Sequence, residues 1–375
     1  MERSGAEDSA LTQYIFLLIE KYMDFIINVV IFLIILFLYI HVTNHYKRSE
    51  DLEIYEMDYT HNPHLQEICD VKQPVIFEFN SVDSELFEHV NSDTMDMIEN
   101  NDVKVKDILD YYPVNKINDE WISVDYTTLP FQSSRKLMKT DVKSHFFTEN
   151  NGDFVEESSY YTFFRHMDQY LKPSFIVHTK YDVCMGSKNV TTPLRYHTNY
   201  RQFYAVTSGK IHVKMTPYKS SKYLHQYKDY ENYEFCSPVN PWISGTGQGT
   251  GQGTGQEKYT NDLDKIKFLE FDVKSGYILH VPPYWWYSIK YSNTDETIVC
   301  GFTYDSAVSM IANIPDIIKY YIQQNNIYKK VAKPLTIHES DFEEPNIEIS
   351  DNIPEENISM ETTKEVDKLL NNQPI

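Results

Sequence analysis

Apolar and polar residues alternate with period two through the middle of the chain. Leu269, Phe271 and Val273 interleave with Glu270, Asp272 and Lys274, and Ile211, Val213 and Met215 interleave with Lys210, His212 and Lys214. Each run predicts a strand with one buried and one solvent-facing side, because successive strand side chains point to opposite faces. On this pattern His212 faces solvent. Tyr287, Ile289 and Tyr291 share a face in the same way, Thr297–Tyr304 reads as a final buried strand, and Gln73–Phe79 as a short entry strand. Ser208-Gly209 and Ser275-Gly276 mark tight turns, where glycine supplies a positive φ without strain. Between residues 157 and 171, Phe163, Met167 and Leu171 recur at helical spacing and predict a helix with a core-facing stripe. Ile311–Tyr328 also reads as helical, broken at Pro315.

One segment breaks this rhythm. Phe25–Val42 is an uncharged, almost wholly apolar run of 18 residues, extendable to Tyr46. At ~1.5 Å per residue it suits a hydrocarbon core of ~30 Å, so residues 25–46 predict a single-pass transmembrane helix after a short N-terminal segment, 1–24. The acidic residues before it and the lack of a small-residue cleavage pattern after it do not suit a signal peptide. Lys47 and Arg48 follow it closely, which favours a cytoplasmic C-terminal part. Residues 47–69 read as a juxtamembrane linker and 70–325 as one folded domain.

The strongest motif is Gly276-Tyr-Ile-Leu-His-Val-Pro-Pro-Tyr-Trp-Trp-Tyr287, a strand, a Pro-Pro corner and a second strand. Upstream, Arg195-Tyr-His197-Thr-Asn199 runs into Phe203–Gly209 and the strand after it. Together these resemble the two halves of the JmjC-like cupins, Fe(II)- and 2-oxoglutarate-dependent hydroxylases and demethylases. The resemblance implies a mainly β (α+β) domain, a double-stranded β-helix of the cupin or jelly-roll type with flanking helices. It also implies a facial triad of two histidines and one carboxylate holding iron. At the triad positions this chain has His197, then Asn199 in place of the carboxylate, then Tyr287 in place of the second histidine. An amide carries no charge, and a phenol with a pKa near ~10 is a poor Fe(II) ligand at neutral pH. Ile211 occupies the position where several members of the family place a basic residue for 2-oxoglutarate. His280 shares a face with Ile278 and is a candidate to point inward. With Ile211, Trp285 and Trp286 it forms a candidate pocket, though a lone inward histidine is more often a core residue than a ligand. The expectation is therefore a cupin without cofactor, with Fe(II) and 2-oxoglutarate as the alternative.

Composition adds limits. The net charge of −21 and the lack of a basic patch argue against nucleic acid as a partner. Residues 333–375 contain 11 acidic and 3 basic side chains and read as a disordered acidic tail. Residues 245–256 repeat Gly-Thr-Gly-Gln and read as a flexible loop, since no Lys-Ser/Thr follows to make a phosphate-binding loop. Asn189 and Asn357 match the glycosylation pattern, and the four cysteines are too widely spaced for a dense disulfide framework or an obvious zinc site. No Gly-x-Ser-x-Gly or His-Glu-x-x-His motif suggests a hydrolase. Three readings follow. One is a membrane-tethered, catalytically inactive cupin that binds a ligand or an unknown protein partner, a homodimer included. The second is a divergent 2-oxoglutarate-dependent protein hydroxylase. The third is a structural membrane or virion component.

Overall fold

The computed structural model describes residues 2–97, 101–112, 124–243 and 259–326. The expectations for 245–256, for 333–375 and for Asn357 lie outside these residues.

The chain opens with α1 (Glu2–His45), which continues N-terminally well beyond the apolar run. Within it, Phe16–His45 is long and apolar enough to cross a membrane, spanning ~45 Å at the helical rise. The stretch expected as a linker carries structure of its own. It holds β1 (Tyr55–Asp58) and α2 (Asn62–Cys69), and β1 pairs in parallel with β2 (Val75–Glu78). Next come α3 (Glu85–His89), β3 (Asp102–Asp107), β4 (Thr127–Pro130), α4 (Phe131–Thr140) and β5 (Phe146–Thr148). They are followed by α5 (Gly152–Glu157), α6 (Tyr161–Leu171), β6 (Ile176–Gly186), β7 (Arg195–Tyr196), β8 (Arg201–Ser208) and β9 (Lys210–Thr216). The rest comprises β10 (Tyr227–Asp229), β11 (Glu234–Cys236), α7 (Thr260–Leu263), β12 (Leu269–Lys274), β13 (Tyr277–Val281), β14 (Trp286–Tyr291), β15 (Ile298–Ser306), α8 (Ala307–Ala312) and α9 (Ile314–Asn326).

The strands form two large sheets, giving an α+β fold. The first runs β1-β2-β13-β8-β15-β6-β5-β3-β4 and is antiparallel apart from β1–β2; the second runs β10-β11-β7-β14-β9-β12 and is antiparallel throughout. Gly209 (φ +67°) turns β8 into β9, and Gly276 (φ +90°) turns β12 into β13, so each glycine carries the chain from one sheet to the other.

Side-chain alternation sorts the core into layers. Tyr204 and Val206 of β8, Leu279 and Val281 of β13, and Val299 of β15 meet Ile211, Val213, Tyr287 and Ile289 of the second sheet. The opposite face of the first sheet, with Phe203, Ala205, Ile278 and Phe302, packs on the helical layer through Leu65, Leu86, Phe164 and Met167. The stripe of α6 is thus Phe164, Met167 and Leu171, whereas Phe163 is only half-buried and stacks on His89 at 4.5 Å. Phe164 and Phe163 stand three and four residues before Met167, both on its side of the helix, and it is Phe164 that turns fully inward. A third cluster, with Tyr196, Phe235 and Trp286, covers the outer face of the second sheet. All four cysteines are free and buried.

Candidate functional site

Between the sheets lies a cavity of about 770 Å³. Gly301 of β15 helps to open it. Val299 fills the same face one step earlier, while Gly301 has no side chain, and a Cβ there would stand 3.1 Å from Asp182 Cβ.

His197, in the link between β7 and β8, is clipped to the Pro-Pro corner by two hydrogen bonds. Tyr284 N–H donates to the His197 carbonyl at 2.9 Å, and His197 Nε2–H donates to the Val281 carbonyl at 3.0 Å. A carbonyl can only accept, so Nε2 carries the proton and Nδ1 is a bare acceptor, which has no partner among the described residues. Burial lowers the imidazole to about 4, although the Val281 bond opposes the shift, so the ring is neutral at pH 7.

Asn199 turns its amide to Asp305, donating from Nδ2 to Oδ2 at 3.0 Å. Burial pushes the Asp305 carboxyl up, but bonds from His178, Asn199 and the Tyr200 amide outweigh it and hold the group below its usual range. Tyr287 lies with its ring centroid 6.2 Å from that of His197, and its hydroxyl pairs with that of Tyr204 at 2.9 Å. Burial raises both phenols. His197, Asn199 and Tyr287 therefore line one cavity, each committed to a different partner.

The other four pocket candidates lie away from it. Ile211 fills the layer between the sheets as a core residue, and Trp285 does the same while donating Nε1–H to the Lys72 carbonyl at 3.0 Å. Trp286 points to the outer face of the second sheet and donates to Ser221 Oγ. His280 is buried but faces the helical layer, 5.0 Å from Phe203, because it alternates with Leu279 and Val281. It is thus inward with respect to the helices and outward with respect to the cavity. His212 points outward and bonds Glu270 and Asp272. Asn189 is exposed in a turn at φ +62°.

The site does not fit Fe(II) with 2-oxoglutarate. Among the described residues the grouping of three metal-type donors within reach of one ion is Asp83, Glu85 and His166, on α3 and α6 and near it, and none of these lines the cavity. His197 belongs to no such grouping. Both buried cations of the cavity, Lys106 and Arg195, are already neutralised and so not available to a dicarboxylate.

That neutralisation is the main feature of the cavity wall. Lys106 Nζ donates to Tyr111 Oη at 3.1 Å, to Glu149 Oε1 at 3.0 Å and to Glu234 Oε1; Tyr111 in turn donates to Glu234 Oε2 at 2.9 Å. Arg195 grips Glu149 with both terminal nitrogens, one of them at 2.6 Å. Burial pushes Glu149 up, yet Arg195 and Lys106 overcome it and hold the carboxyl at about 2. Burial would lower Lys106, but Glu234 and Glu149 reverse the direction and raise it. Two cations and two carboxylates cancel.

Three polar ends of cavity-lining residues are buried and unsatisfied among the described residues: His197 Nδ1, Arg195 Nε and one end of the Gln202 carboxamide, whose other end reaches Tyr204 Oη at 2.5 Å. Lys106, Glu149, Glu234 and Gln202 were not among the residues predicted from sequence. The sequence offers little signal for them: Lys106 lies in Asp102-Val-Lys-Val-Lys-Asp107 on the charged side of an ordinary alternation, and Glu234 stands between Tyr233 and Phe235. Compared with known proteins, the chain matches no family model and no curated protein.

Proposed function

We propose that this chain is a single-pass membrane protein whose β-domain is a double-stranded β-helix of the cupin type. We propose further that it holds a small uncharged polar molecule in the inter-sheet cavity and lacks the iron and 2-oxoglutarate chemistry of the JmjC-like resemblance. The β-helix reading is supported by the way β8, β9, β12, β13, β14 and β15 cross between two facing antiparallel sheets. The membrane reading is supported by Phe16–His45.

One observation carries the functional reading. The side chains at the family's metal positions each hold a protein partner, through His197 Nε2, Asn199 Nδ2 and the Tyr287 hydroxyl, while residues lining the cavity that they share keep buried hydrogen-bonding ends without a partner among the described residues, beside a cluster of two cations and two carboxylates that cancel. A buried donor or acceptor without a partner costs ~1–3 kcal/mol, which a hydroxyl- or carbonyl-bearing ligand would relieve once the side chain turns that end into the cavity. At the Lys106–Glu149–Glu234–Arg195 cluster, a charged ligand would have to displace a carboxylate or a cation from its partner.

The test uses the full chain in lipid nanodiscs, reloaded anaerobically with Fe(II). The expected result is iron well below one per chain and no succinate formed from 2-oxoglutarate. Sugars and polyols are expected to raise the melting temperature of the wild type but not that of Gln202→Leu. Stoichiometric iron with succinate production, both abolished by His197→Ala, would overturn the proposal.

A further inference from the structure

Helix α9 is inverted relative to an ordinary surface helix. A helix on a globular domain turns its apolar stripe to the core and its polar face to water. Here the polar face is the one held by the protein. Asp316 Oδ1 accepts from Tyr230 Oη at 2.6 Å and Asp316 also pairs with Lys228, Tyr320 packs on Tyr233 at 5.6 Å, and Gln324 Nε2 donates to the Glu231 carbonyl at 2.7 Å. Tyr320 and Gln324 line the cavity. The opposite face, at the spacing i, i+4, i+7, i+8, is Ile314, Ile318, Tyr321 and Ile322, all exposed. Met310 and Ile311 of α8 are exposed as well.

This apolar face adjoins the end of the membrane-crossing helix. α8 packs directly against α1, and Tyr46, one residue past α1, donates its hydroxyl to the Ala312 carbonyl at the end of α8. A second apolar feature abuts the same place. Ile176, which opens β6, pairs with Ser306, the N-cap of α8. Just before it Phe175 is 93% exposed at φ +60°, a backbone region that a bulky residue rarely adopts, with Val177 exposed two positions on. The sequence beyond α9 continues with Lys329, Lys330 and Lys333. Apolar side chains flanked by lysines are the composition of segments that lie in the lipid headgroup region.

We propose that α8 and α9 lie on the bilayer surface at the point where α1 leaves it, with Ile314, Ile318, Tyr321 and Ile322 in contact with lipid and Phe175 beside them. α9 then separates lipid on one side from the cavity on the other. The proposal rests on the reading of α1 as a membrane span.

The experiment labels single cysteines with a small fluorophore in the full chain in nanodiscs, the four native cysteines being buried. Probes replace Ile318, Ile322, Ile34 of α1, and the exposed Lys188, which lies past the far end of β6, roughly 33 Å from Phe175 at the strand rise. Doxyl-labelled phosphatidylcholine should quench most of the emission at positions 318, 322 and 34, and aqueous iodide should quench only position 188. Iodide quenching at 318 and 322 equal to that at 188 would overturn the proposal and leave the α1 reading intact. Protection of 318 and 322 from both quenchers would overturn it in favour of cover by protein. Lipid quenching absent from position 34 would overturn the membrane reading itself.

Discussion

Lys106→Met removes one of two cations from a wall that buries two carboxylates, with the Glu149 and Glu234 side chains only 5% and 8% exposed. Arg195 still neutralises Glu149, so the damage concentrates on Glu234, which retains only the Tyr111 hydroxyl of its bonds in this network. Removing one partner of a buried ion pair costs ~3–5 kcal/mol, because the remaining charge is left in a medium that solvates it poorly. At ~2–4 °C per kcal/mol for a domain of this size, the melting temperature should fall by roughly 6–20 °C. The assay is intrinsic tryptophan fluorescence of the full chain in nanodiscs during heating. Lys106→Met combined with Glu234→Leu should recover most of the loss, since the unpaired charge is gone. A single variant within ~1 kcal/mol of wild type, or a double variant worse than the single, would refute the view that neutralisation holds this wall.

Three further outcomes follow from the same geometry. His197 is depressed from 6.5 to about 4 by burial, so the unfolded chain binds more protons between those values. About 3 kcal/mol of stability should be lost through His197 as pH falls from 6.5 to 4, and His197→Gln should make that limb of a melting-temperature profile shallower, burial lowering His280 as well; a flat wild-type profile would contradict it. Asn199→Asp with Tyr287→His restores the triad in sequence, yet iron should stay below one per chain by metal analysis. His197 could ligate only through Nδ1, since Nε2 holds the proton given to Val281, and the new carboxylate would meet Asp305 where Asn199 now donates; stoichiometric iron would refute this. Gly209→Ala should cost ~1–3 kcal/mol in denaturant titration, since φ is +67° and a Cβ would stand 2.6 Å from Thr297 Oγ1 and 2.9 Å from the Glu296 carbonyl. Unchanged stability there would show that the turn can rebuild.

Much of the β-domain was legible because it is local. The turn glycines, the alternation of β9 and β12 and the Pro-Pro corner each declare themselves within a few residues. His280 shows where that locality ends. Alternation places it opposite Leu279 and Val281, but both faces of β13 are buried, so the pattern cannot say which one meets the cavity. The charged wall was illegible for a different reason, since Lys106 finds its partners 43 and 128 residues away, through sheet order rather than through sequence spacing. Phe163 failed because it and Phe164 both stand at helical spacing from Met167, four and three residues before it, and periodicity alone does not choose between them. The stretch 47–69 read as a linker because its strand is only four residues long and pairs with a strand that lies beyond it.

Arg48 lies three residues past α1, with its guanidinium carbon 3.6 Å from the centre of the Tyr218 ring and 4.4 Å from that of Tyr284. A domain on a flexible tether of n residues roams over ~5–6 Å × √n and sweeps a hemisphere above its membrane. Here the tether has almost no length, and the domain inherits the height, tilt and azimuth of the helix beneath it. On the proposed reading of α1 as a membrane span, encounters become a two-dimensional problem. A molecule sharing the same bilayer would meet the domain by lateral diffusion, always at one altitude. One arriving from solution would find a surface whose orientation is set before contact, with less rotational entropy left to lose on binding.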